Sequence, residues 1–135
     1  MAASVERAVS AFLDGEAPCF GIWGQVGSGK LFLVEKVAKS KGVRYTVLDG
    51  AQDRIAYSRL GAHALTYAGI GPMIYVVVNA HESDWSFAKA LLCKCVLIAN
   101  DEQALRGLKA AKFECVKLSR PTVDSMAKTL FLEHD

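Results

Sequence analysis

Neither sign of charge dominates this chain. Across 135 residues, 16 Lys and Arg stand against 14 Asp and Glu, for a formal net charge of +2. That balance builds no basic field strong enough to imply nucleic-acid binding by itself, and leaves no acidic tail. Cysteine is sparse and poorly spaced for metal or redox work. The four are Cys19, Cys93, Cys95 and Cys115, and the one close pair lacks the two-residue gap of a zinc knuckle or a thioredoxin-like site. Reduced, packed thiols in a cytosolic or nuclear protein are the expectation. The opening MAASVERAVSAFLDGE carries acids and no apolar run of signal-peptide length. Between Leu60 and His81 there is no Asp, Glu, Lys or Arg, which raises a membrane span. Gly69-Ile70-Gly71-Pro72 interrupts that stretch, so a short helix followed by a buried strand is expected instead, with no membrane partner. There is no repeat and no low-complexity segment.

What the chain does have is apolar bulk. Leu, Ile, Val and Phe supply 38 of the 135 residues, enough to exclude global disorder and to fill one compact domain over 1–135, with no room for a second. Val5, Val9, Phe12 and Leu13 recur at helical spacing, predicting a helix over about 2–13 within an N-terminal segment 1–17. Cys19 to Trp23 reads as a buried strand bounded by Pro18 and Gly24. From Lys30 to Lys41, Leu33, Val34, Val37 and Ala38 face one way, and Gly42 ends the helix. Val43 to Leu48 is a second strand closed by Asp49-Gly50. Ala56, Leu60, Ala64 and Tyr67 mark a helix. Met73 to Val78 is a third strand without period-2 alternation, as expected of a strand covered on both faces. Ser83 caps a short helix through Leu92, Val96 to Ala99 is a fourth strand, 102–110 a short helix and Phe113 to Leu118 a fifth strand. A last helix over 122–135 carries Val123, Met126, Ala127, Leu130 and Phe131 on one stripe. Strands and helices alternating at this spacing predict an α/β fold, a parallel five-stranded sheet with helices on both faces. Such sheets bind ligands at the C-terminal ends of their strands.

Directly after the first strand stands Gly24-Gln25-Val26-Gly27-Ser28-Gly29-Lys30-Leu31, which fits G-x-x-x-x-G-K and lacks the final hydroxyl. Glycines let successive N–H groups turn inward, the helix dipole adds partial positive charge, and the lysine is placed to reach outer phosphates. Leu31 stands where Ser or Thr would bind Mg²⁺ and has no lone pair to offer. The third strand runs out through Val78-Asn79-Ala80-His81-Glu82, without the Asp that supports the metal or the Glu that orients water. Glu82 fits a capping or solvated role better than a displaced carboxylate, and His81 a surface or packing role better than a base. The losses fall together on the metal and water side, while the phosphate cradle and Lys30 are kept. No residue is assigned to catalysis and none to a metal.

The fourth strand ends in Ile98-Ala99-Asn100-Asp101, and Ser119-Arg120-Pro121-Thr122 follows the fifth. In this wording, and in the loop Gly24 to Lys30, the chain resembles the nucleotide-binding core of an AAA+ ATPase of the clamp-loader type over about 18–132. The resemblance implies a phosphate-binding role for the loop, places Asn79 and Ala80 at the metal and water acids, and makes Asn100 the polar sensor near the terminal phosphate. Asn100-Asp101 also suits a helix cap, and both roles can hold. Residues 122–134 would supply only the first helix of the family's lid. No interfacial Ser-Arg-Cys motif precedes the fifth strand, and Arg106 and Arg120 suit solvated and turn positions better than nucleotide contacts. The resulting expectation is a degenerate AAA+-like subunit, intracellular, that binds ATP or ADP without a tight Mg²⁺ requirement. Its partners would be other subunits of a replication assembly, with possible self-assembly and only indirect contact with DNA. An active small P-loop ATPase or phosphotransferase completed by a partner is the rival, and an interaction module with a vestigial loop the third reading.

Overall fold

In a computed structural model, the structure describes residues 2–51, 74–82, 84–85 and 94–119. The expected helix around Ala56 to Tyr67, the start of the third strand at Met73, the helix capped by Ser83, Arg120 and the C-terminal helix lie outside the described residues. The elements are α1 (Ala2–Asp14), β1 (Cys19–Trp23), α2 (Lys30–Ser40), β2 (Tyr45–Asp49), β3 (Ile74–Val78), β4 (Cys95–Ala99), a 3-10 turn (Glu102–Leu105) running into α3 (Arg106–Ala110), and β5 (Cys115–Lys117). The five strands form one parallel sheet in the order β2-β3-β4-β1-β5. This is an α/β fold of the P-loop NTPase-like kind.

Alternation along each strand divides the core in two, since successive side chains point to opposite faces. Phe20, Ile22, Val76, Val96 and Ile98 face one way and pack with Val5, Val9 and Phe12 of α1 and Leu33, Val34, Val37 and Ala38 of α2. Cys19, Tyr75, Val77, Cys95, Leu97 and Ala99 face the other way and pack with Leu105 and Leu108. Helices therefore cover both faces, and β4, buried along its whole length, reads as an unbroken apolar run because it has no solvent side.

Two strands begin later than their apolar patterns suggest, for one reason. After α2, Gly42 takes φ 68°, its N–H donates to the Lys39 carbonyl and that of Val43 to the Ala38 carbonyl at 2.9 Å. This is a Schellman closure, and it commits the Val43 N–H to the helix; β2 starts at Tyr45 while Val43 still packs on the core. The same pattern recurs after α3. Lys112 takes φ 66°, Lys112 N–H donates to Lys109 and Phe113 N–H to Leu108, so β5 starts at Cys115 rather than Phe113. No helix among the described residues is long and apolar enough to cross a membrane.

Candidate phosphate-binding site

The loop between β1 and α2 is fixed at its root by two neighbouring strands. Gly24 N–H donates to the Ala99 carbonyl at the end of β4, and Leu118 N–H donates to the Trp23 carbonyl from just beyond β5. A β-carbon on Gly24 would lie 2.1 Å from the Leu118 carbonyl oxygen, so only glycine lets these backbones approach so closely. Further along, Gly27 and Gly29 adopt φ 84° and 85°, the left-handed region where a side chain is strained. Gly29 is the N-cap of α2 and, being glycine, offers its N–H groups no side-chain oxygen. The first intrahelical bond runs from Leu33 N–H to the Gly29 carbonyl at 3.0 Å. The N–H groups of Lys30, Leu31 and Phe32 precede it at the positive end of the helix dipole, an arrangement suited to an anion.

Lys30 is only 7% exposed and its ammonium turns back into the loop. Nζ donates to the Gly24 carbonyl at 2.7 Å, the Gln25 carbonyl at 3.0 Å and the Ser28 hydroxyl at 3.3 Å, which occupies all three of its protons. Burial lowers its pKa from the ordinary 10.5, because the charged form loses hydration. In this structure the ammonium that the sequence places within reach of outer phosphates is held inside its own loop. Ser28 is buried as that lysine's acceptor, and Val26, at 68% exposure, stands out at the tip.

The positions expected on the metal side are equally well defined. Leu31 is half-buried and packs against the α1–α2 core, which gives its aliphatic side chain a structural reason. Asn79 takes φ 51°, and its amide donates to Asp49 Oδ1 at 3.3 Å. Ala80 is buried, with its N–H on the Ile98 carbonyl at 2.9 Å. These side chains offer no carboxylate to a divalent cation, and among the described residues no group of three His, Cys, Asp or Glu stands together. The residues fit a phosphate cradle and do not fit the usual metal set.

Other acids in the region have structural partners. Asp49, read from sequence only as a strand-closing turn residue, also accepts from Ala51 N–H at 2.8 Å. Asp84 is buried at 1% exposure and accepts from His81 N–H at 2.7 Å, bracing the turn after β3. Glu82 is exposed and pairs with Arg106, in line with surface roles for both. His81 is exposed.

Asn100 and Asp101 take different places after β4. Asp101 is the N-cap, accepting from Ala104 N–H at 3.1 Å. Asn100 instead lines a cavity of about 320 Å³ with Trp23, Gly24, Gln25, Lys117 and Ser119. Trp23, Lys117 and Ser119 were not expected there. Trp23 immediately precedes the loop, while Lys117 and Ser119, at and just past the end of β5, are brought to it only by the pairing of β1 with β5. No protein-family model matches this sequence, and no curated protein matches it either.

Proposed function

We propose that this chain is a degenerate AAA+-like subunit, related to clamp loaders, which binds the phosphates of ATP or ADP and hydrolyses them little or not at all. One observation carries the reading: α2 begins at a glycine cap in the left-handed region, with Gly27 left-handed before it, while Leu31 packs on the core, Asn79 serves a turn and Ala80 is buried, so none of the three is a metal ligand. Backbone N–H groups hold an anion without a metal, whereas Ser or Thr at 31 and Asp at 79 would act only through one. The partners on this reading are other subunits of a DNA-replication assembly, and contact with DNA is indirect.

Calorimetric titration of ADP and ATP with Mg²⁺ and with chelator tests it. Weak binding is expected, little changed by chelator, reduced in Lys30→Ala and weakened by salt because charge-assisted contacts dominate. ATP turnover should not exceed that of Lys30→Ala. A strong metal requirement, or turnover near 1 s⁻¹, the low end of common enzymes, would establish the active P-loop enzyme instead. Failure to bind either nucleotide would leave an interaction module with a vestigial loop.

A further inference from the structure

The cavity beside the loop is polar and carries a positive charge. Gln25, Asn100 and Ser119 can each donate or accept a hydrogen bond, Lys117 donates only and adds the charge, and no acid lines the wall among the described residues. The nearest acid in sequence, Asp101, is engaged with Ala104 N–H. Lys117 is exposed, and its ammonium lies 5.1 Å from the centre of the Trp23 ring. Among the described residues it has no carboxylate partner. Trp23 is half-buried against the second core, so the ring steadies that ammonium by a cation–π contact and leaves its charge available to a ligand. The volume is at the lower end of small-molecule sites, about 300–1,000 Å³, and Gly24 and Gln25 belong to both cavity and loop. Lys30, by contrast, faces inward with its protons taken.

We propose that Lys117 receives the terminal phosphate of a nucleoside polyphosphate whose inner phosphates lie at the amino end of α2. An ammonium on β5 then supplies the charge neutralisation for which Leu31, Asn79 and Ala80 provide no metal ligand. The proposal rests on the phosphate-binding reading above and adds to it a residue that distinguishes a triphosphate from a diphosphate.

The test is titration of wild type, Lys117→Met, Lys117→Arg and Lys30→Ala with ATP and with ADP, in chelator and at fixed ionic strength. Wild type should prefer ATP. Lys117→Met should bind ATP about tenfold more weakly, the effect of one charge-assisted contact, and ADP less than about twofold more weakly, while Lys117→Arg keeps the preference. ATP, and not ADP, should also change the emission of Trp23 as the ammonium leaves its ring, a signal absent in Trp23→Phe. Equal losses for the two nucleotides in Lys117→Met, or no loss, would overturn the assignment. If Lys30→Ala abolishes binding while Lys117→Met changes nothing, only the role of Lys117 fails. If wild type binds neither nucleotide, the phosphate-binding reading fails and this proposal with it.

Discussion

Lys112 holds φ 66° in a closing turn for which the corresponding turn after α2 uses Gly42 at φ 68°. A β-carbon there is strained by about 1–2 kcal/mol, partly offset by the smaller entropy that a non-glycine residue loses on folding. Lys112→Gly should therefore stabilise the protein by about 0.5 kcal/mol, and Gly42→Ala should destabilise it by about 1 kcal/mol; urea titration of both variants checks the pair. Cys19 gives a pH dependence. Burial pushes its thiol from the ordinary 9.0 up to about 11. A thiol raised in the folded state contributes stability that is full below pH 9 and lost as pH climbs toward about 11. Over that interval wild type should lose on the order of 2 kcal/mol more than Cys19→Ala, and parallel losses would show that the thiol does not titrate so. Asn79→Asp would set a second carboxylate within hydrogen-bond reach of Asp49. The exposed pair should cost under about 1 kcal/mol at neutral pH, recovered as pH falls toward 4 and one acid protonates, which melting curves at pH 7 and 4 would show. Asp49 was unreadable as a neighbour of Asn79 because that proximity belongs to the register of β2 against β3, not to either segment.

At the scale of elements, the apolar patterns identified every described strand and α2, misplacing ends by a single residue and the starts of β2 and β5 by two. Val43 and Phe113 look like strand residues because they are apolar and buried or half-buried, but their N–H groups close helices. A pattern of side chains carries no information about where a backbone donor is spent. The attachment of α1 escaped sequence reading in the same way. Lys94 Nζ donates to the carbonyls of Gly15 at 2.6 Å and Ala17 at 3.3 Å, and also to that of Phe12, over whose ring it lies at 4.5 Å. A lysine just ahead of β4 thus caps the end of a helix from the other end of the described chain. Lys94→Met should lower stability by about 1–2 kcal/mol through loss of charged hydrogen bonds and a dipole contact, seen as a lower thermal midpoint. An unchanged midpoint would mean that solvent replaces those bonds fully. The ion pairs Lys36–Glu6 and Lys41–Asp14 also link α1 to α2, but exposed pairs add little.

For the molecule as a whole, the class of sheet was legible from alternating apolar runs and helices, while the order of its strands was not, since nothing within a strand names its neighbour. The glycine turn Gly24 to Lys30 was legible because its residues are contiguous; the cavity was not, because Trp23, Asn100, Lys117 and Ser119 meet only across β1, β4 and β5. That order also sets a timetable. Cys19 of β1 lies opposite Cys95, and Gly21 opposite Cys115, so β1, the earliest of the described strands, waits for the last two described before it has either of these partners. β2 and β3 pair with each other much sooner in the growing chain. Closing such distant contacts is slow, and the glycine loop, rooted by Gly24 on Ala99 and by Leu118 on Trp23, has no reason to take shape before they close. In pulsed hydrogen exchange during refolding, the Gly24 and Leu118 amides should gain protection together and after those of β3. A nascent chain stalled before β5 emerges would then carry the whole glycine motif and yet lack one of the two strands that hold its root in place.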